Sequence, residues 1–459
     1  MKKTFNLFKI PEGYRFSNKY MIMYLLPILF EQLLIASLNI VDTFMISRLP
    51  NSDYALAGIA NVSKLDTMCK QIFVALAAGG AIFVAQYLGA KRREEANRAL
   101  KHGVYSLFAI AVILAALLEI FKVPILNFLF GKVEERVMEQ SLSYYSMTIL
   151  AYPFMALFNS GTASLRSMGK TKVTFYASVA LLSINIALKY VFLFHFDMGV
   201  LGAGLSLMIA YAIIGIFLFA LLLSRKNPAH IDKPLNLKLS FPLLGKIYAV
   251  ALPTGIENGL FQIGALILQT LVASLGTAAI NANHLTTTIT PLTHSFAGAF
   301  TLGVLPMVSQ CMGAGSTKEA EFYARYIVRI NHIFLAVLAA IVIPLSPMLV
   351  SIFGYNAETS RTAVICLWIY FGATPFLYPE SFAMPSALRG AGDTKYTMVV
   401  AISTMFLFRI GFAYLLVYAF DAGVTAIWIA MVSDWVFRTI LFRVRFERGK
   451  WKNHNLIHN

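Results

Sequence analysis

Several residues in the most apolar parts of this 459-residue chain are of types that such stretches seldom carry. They are Asp42, Lys64, Asp66, Lys70, Asn185, Lys189, Glu257, Asn258, Gln262 and Arg409, with Glu31 and Asp434 nearby in sequence pattern. An ionised group at the centre of a bilayer costs about 2.5–3.5 kcal/mol on insertion scales, so each needs a charge partner, a bound cation or proton, or a charged solute. The chemistry on offer is capture and release of charge. Motifs for bond-making are missing: there is no HExxH, no GxSxG and no metal cluster. Gly169-Lys170-Thr171 ends like a phosphate loop, but Ser164 stands where that loop needs glycine. Cys69, Cys311 and Cys366 lie far apart in apolar stretches and read as buried thiols, not as a disulfide or zinc framework. No catalytic residue, metal or cofactor is expected, and the chain reads as a non-enzyme. His284, His294 and Glu380 are weaker candidates, read first as packing residues and second as a proton relay.

The elements that must position these charges follow from composition. The chain is 58% apolar and 13% charged, with mean hydropathy +0.69, against about 45–50% and about 25% in soluble domains. The excess must face lipid, and a helix crosses a bilayer core in about 20 residues. The pattern predicts an all-α integral membrane protein with twelve spans: 20–48, 55–82, 97–120, 139–163, 173–194, 201–223, 247–275, 278–306, 321–343, 362–387, 396–418 and 424–443. Pro27, Pro253, Pro375, Pro379 and Pro385 fall inside spans, where each removes a backbone hydrogen bond. The first apolar stretch holds Pro27, Glu31, Gln32, Asn39 and Asp42, and so reads as a span, not a cleaved signal.

The net charge of +16 is a topology signal. With the N-terminus in the cytoplasm, 29 of the 38 Lys and Arg fall on the cytoplasmic side and five on the other; Lys64, Lys70, Lys189 and Arg409 lie within spans. That bias places both termini inside. A multi-pass protein of the cell's cytoplasmic membrane is expected, its partner the lipid bilayer and not nucleic acid.

The sequence repeats at its midpoint. Leu26-Pro27-xxx-Glu31 returns as Leu252-Pro253-xxx-Glu257, and Gln86-xx-Gly89-Ala90 as Gln310-xx-Gly313-Ala314. Leu165-Arg166-xx-Gly169 returns as Leu388-Arg389-xx-Gly392, and Asp197-x-Gly199 as Asp421-x-Gly423. Six spans per repeat give two halves of like orientation, related by a pseudo-two-fold along the membrane normal, with a site between them near the midplane. The expected domains are an N-terminal six-helix lobe (1–223), a cytoplasmic linker (224–246), and a C-terminal six-helix lobe with a basic tail (247–459).

These motifs resemble the multidrug and toxic compound extrusion family. The resemblance is carried by Pro27 through Val41-Asp42-Thr43, by Gly79-Gly80 to Gln86-Tyr87-Leu88-Gly89-Ala90, and by Leu165-Arg166-Ser167-Met168-Gly169-Lys170-Thr171. Gly199-Val200-Leu201-Gly202-Ala203 and Leu388-Arg389-Gly390-Ala391-Gly392-Asp393-Thr394 complete it. It implies two pseudo-symmetric six-helix lobes in a V around a central cavity, alternating access, and export of organic compounds against a sodium or proton gradient. It also implies that Asp42 is the cation-binding aspartate. The accompanying Asn-xxx-Asp pair of the fifth span is here Asn185-xxx-Lys189, and the threonine of the sixth span is Leu207. A glutamate often found in the seventh span would fall at Phe261, one turn beyond Glu257.

By rise per residue, Asp42 and Lys189 both lie about 10 Å below the outer surface, in a layer with Lys64 and Asp66, and Lys70 is somewhat deeper. We expect Lys189 to pair with Asp42 and to stand where a cation would bind, or else to form a fixed structural pair. Sodium wants several oxygens, so protons are favoured as the coupling ion. Glu257, Asn258 and Gln262 form a polar face that either lines the cavity or satisfies the backbone freed by Pro253, and Glu31 is the repeat mate of Glu257. Arg409 is expected to pair with Asp434. The expected substrate is a small organic molecule handled by a monomer, with an anionic or zwitterionic substrate open. A flippase for a lipid-linked or amphipathic anion is the alternative.

Overall fold

The computed structural model describes residues 10–49, 52–131, 133–234, 236, 238–454 and 456–457. Twelve helical rods account for nearly all of them. They are α1 (Asn18–Ile46), α2 (Ser52–Gly89), α3 (Arg93–Phe130), α4 (Glu135–Ser167), α5 (Thr171–His195), α6 (Gly199–Leu222), α7 (Phe241–Ser274), α8 (Thr277–Gly313), α9 (Thr317–Ser351), α10 (Ala357–Ala391), α11 (Thr394–Phe420) and α12 (Thr425–Glu447). Among the described residues, all but α1 and α4 are apolar enough over 18 residues to cross a membrane by length and composition alone. Several polar residues of α1 and α4 are buried, among them Glu31, Ser141, Thr148 and Ser160.

Most rods run several residues past the expected spans, and four are not uniform α-helix. α8 has a turn at Thr290, where Pro291 supplies no N–H. α10 widens to a π turn at Pro379–Ala383 and α11 at Met405–Gly411, while α5 ends in one at Val191–His195. A π turn inserts a residue into the ladder and re-aims the side chains around it.

The repeat read from sequence is present in the backbone. Gly169 (φ +79°) and Gly392 (φ +106°) end α4 and α10 in the left-handed region. Lys170 N–H donates to Leu165 O at 2.8 Å, and Asp393 N–H to Leu388 O at 3.0 Å. Asp197 (φ +50°) and Asp421 (φ +48°) likewise occupy matching positions before α6 and α12.

Contacts divide the chain into two compact units: Phe30–Gly255, and Met1–Leu29 with Ile256–Asn459. The division falls inside α1 and inside α7, two residues beyond Pro27 and Pro253. The reason is packing. Met21, Tyr24 and Ile28 are buried among Val304, Met307, Tyr323, Leu388 and Phe442. Ala251 is buried with Val62, Leu107, Tyr152 and Leu207. Gly79 makes room for α7, since a Cβ there would lie 2.3 Å from that of Ala251. Its repeat mate Gly303 does the same for Leu25. The 224–246 segment is docked onto α3: Asn97 accepts from His230 N–H and donates to Asp232, both at 2.8 Å, and Ser240 N–H donates to His102 Nε2 at 2.7 Å.

Candidate functional site

In the unit Phe30–Gly255, α1, α2 and α5 bring two ion pairs into one region. Lys189 Nζ contacts Asp42 Oδ1, with the Lys189 side chain 2% exposed and that of Asp42 22%. Lys70 Nζ lies 2.6 Å from Asp66 Oδ2, one helical turn away on α2. Lys70 is close enough to Lys189 for their charges to interact, and Tyr144 and Tyr211 sit within electrostatic reach of Asp42, Asp66 and Lys70. Asn185 is fully buried one turn before Lys189; its Oδ1 accepts from Ser206 Oγ at 3.1 Å and its Nδ2 has no hydrogen-bond partner. The region is charge-balanced, two acids against two ammonium groups. Lys64 does not belong to it. It is exposed, because two residues along a helix from Asp66 is about 200° around the axis.

The two glutamates that follow Pro27 and Pro253 meet the same partner in each unit. Arg166 Nη2 donates to Glu31 Oε1 at 2.7 Å, and Arg389 Nη2 to Glu257 Oε1 at 2.6 Å. Glu31 also accepts from Ser178 Oγ at 2.7 Å and Thr174 Oγ1 at 3.3 Å, and is fully buried. Glu257 is 9% exposed. Thr397, the repeat mate of Thr174, accepts from Arg389 Nε at 3.4 Å. Each arginine comes from the helix end that carries the Leu-Arg-xx-Gly turn. Asn258 and Gln262 are partly buried on the same stretch of α7.

In the unit completed by Ile256–Asn459, Arg409 rides the π turn of α11 toward Asp434 on α12, 3.4 Å from Nε to Oδ2. The expected pair is thus present but shared, because Arg438 Nε donates to Asp434 Oδ1 at 3.0 Å. Both guanidinium groups face the ring of Phe261, at 5.1 and 5.9 Å from its centroid. Tyr378 Oη and His294 Nδ1 are 2.7 Å apart. His284 is exposed, and Glu380 lies 3.8 Å from His332.

Sequence reasoning gave Arg166 and Arg389 no partner, although both stand in the repeat and family motifs, and it counted Arg438 only as a topology charge. The signals were there: Glu and Arg recur together in both halves, and Asp434 and Arg438 have the i, i+4 spacing of a helix-face pair. Tyr144 and Tyr211 carried no sequence signal among so many aromatics.

The MatE family model matches this chain twice, over residues 27–191 and 253–415, once in each half. The chain belongs to the MatE family. Among its relatives, a probable multidrug resistance protein YoeA of Bacillus subtilis (strain 168) is 24% identical over 95% of this chain and 94% of its own length. A probable multidrug resistance protein NorM of Thermotoga maritima (strain ATCC 43589) is 23% identical over 96% and 94%. Among solved structures, MATE in the bent conformation superposes with TM-score 0.86 at 17% identity, covering 94% of this chain and 95% of that one. MATE in the straight conformation gives 0.85 at 18%, covering 94% and 96%. This MatE protein is thus a multi-pass membrane transporter with the all-helical, twelve-span fold read from its sequence. The flippase alternative draws no support from these relatives.

Proposed function

We propose that this MatE protein is a secondary active transporter that exports organic compounds across the cytoplasmic membrane in exchange for a cation, by alternating access. The observation that carries the reading is the Asp42–Lys189 contact beside Asp66 and Lys70. Each pair has one buried member, Lys189 and Asp66, and buried ion pairs are poor stabilisers, so the two together favour a working role. The relatives named as multidrug resistance proteins support organic compounds as cargo. In this reading a proton is the coupling ion, because the Lys189 ammonium stands where a hard cation would need oxygens. Protonation of Asp42 breaks the pair, and the pair reforms on proton release. The 29-to-five distribution of basic residues supports cytoplasmic termini. A monomer suffices, because both ion pairs are built within one chain.

Purified protein in liposomes tests this. Export of a cationic dye, and separately of an organic anion, is followed under a proton gradient and then under a sodium gradient. Transport driven by protons alone and lost in Asp42→Asn supports the proposal. Transport driven by sodium at constant pH overturns the choice of ion. Full transport by Asp42→Asn overturns the role of the pair.

A further inference from the structure

Arg409 is the buried charge of its unit with the poorest partner. Its residue is 9% exposed, and Nε has no hydrogen bond among the described residues. The nearest acid, Asp434, is fully buried and already engaged by Arg438, which also donates to Thr404 Oγ1 at 3.2 Å and Ala401 O at 2.9 Å. Arg438 is therefore satisfied, whereas Arg409 stays 3.4 Å from a carboxylate oxygen that itself accepts no hydrogen bond. Asp434 and Arg438 are the charges that act on Arg409 most strongly, which leaves two guanidinium groups against one carboxylate. An excess positive charge held in a low-dielectric interior calls for an anion.

The surroundings say what kind. Phe261 presents its ring to Arg409, and Tyr378 and His294 lie within its electrostatic reach. His294 is exposed, which gives the group an accessible side. The π turn that carries Arg409 is a local departure from the ladder of a kind common at functional sites. A planar fork of donors edged by rings suits a carboxylate or sulfonate on an aromatic body. We propose that Arg409, with Phe261, His294 and Tyr378, forms a binding site for an aromatic organic anion. This names a ligand class for the transporter reading above. The test is equilibrium binding, so its failure and a failure of ion coupling are separable.

The experiment uses the full chain in phosphatidylcholine nanodiscs, with empty discs subtracted. Three probes of one shape are compared: naphthalene-2-sulfonate, naphthalene-2-sulfonamide and a naphthyl quaternary ammonium. The sulfonate is expected to bind at least ~10-fold tighter than the sulfonamide, the scale of one charge-assisted bidentate contact. Arg409→Gln abolishes that preference and Arg409→Lys keeps part of it. Asp434→Asn removes the competing carboxylate and tightens sulfonate binding, a change opposite to what misfolding produces. Equal binding of sulfonate and sulfonamide by the wild type overturns the proposal, as does an unchanged preference in folded Arg409→Gln. If Arg409→Gln fails to fold, the wild-type preference and the Asp434→Asn response decide. Displacement of the sulfonate by phosphatidylglycerol in the disc would assign the site to a lipid headgroup and overturn the soluble-anion assignment.

Discussion

The two partners of the Asp42–Lys189 pair are unequally buried, and this predicts unequal costs of removing them. Lys189 is 2% exposed and Asp42 22%. Asp42→Asn strands an ammonium that water does not reach. Breaking a buried pair in this way costs about 3–5 kcal/mol, and for a unit of this size each kcal/mol lowers the melting temperature by about 2–4 °C. A fall of roughly 6–20 °C is expected. Lys189→Met keeps an unbranched stem in the same space and leaves a carboxylate that retains some contact with its surroundings, so its cost should be about 1–2 kcal/mol, or a few degrees. Asp42→Leu with Lys189→Met removes both charges and should melt close to the wild type. The assay is thermal unfolding of the four proteins in one detergent, followed by loss of the monodisperse peak. If Lys189→Met falls as far as Asp42→Asn, or the double variant falls by the sum of the singles, the burial argument is wrong.

Three further outcomes are expected. Lys189→Asp replaces the ammonium with an oxygen donor beside Asp42 and Asn185, and sodium chloride, but not choline chloride, should then raise its melting temperature; stabilisation reaches about 2.7 kcal/mol when sodium is 100-fold above its dissociation constant. Arg166→Met strands the fully buried Glu31 and should lower the melting temperature more than Arg389→Met, which strands the slightly more exposed Glu257; each should be largely rescued by the matching Glu→Leu. Gly79→Ala puts a Cβ 2.3 Å from that of Ala251, whereas Gly303→Ala meets the end of the Leu25 side chain; overpacking of about 1–3 kcal/mol is expected at Gly79 and less at Gly303, read as relative yield of folded protein.

Much of this was legible in the sequence because membrane insertion penalises charge so heavily. Asp42 and Lys189 stood out for that reason, and their equal depth followed from residue counts alone. The repeat was legible because its turns need particular residues: Gly169 and Gly392 adopt a φ that side chains resist. Lys64 is exposed where Asp66 is buried, a difference that depth counted without rotation about the axis leaves out. Arg438 was missed because a basic residue near a helix end usually reports topology. The point where the contacts of α1 and α7 change sides was not legible, since nothing in the composition of either helix marks it. Only the packing of Met21, Tyr24 and Ile28 with residues some 280–420 positions away reveals it.

That packing sets an order of assembly during synthesis. The first half of α1 is made long before parts of its bed, which includes Leu388 and Phe442. At about 5–20 residues per second, the ribosome needs roughly 20–80 s to cover the interval from Ile28 to Phe442. Phe30–Gly255 has the contacts within its own unit available once Gly255 has emerged, but the opening turns of α1 meet their first partners only with α8 and their last only with α12. A nascent chain stalled before α12 would hold those turns against α8, α9 and α10, in a bed still open where Phe442 and Phe446 belong.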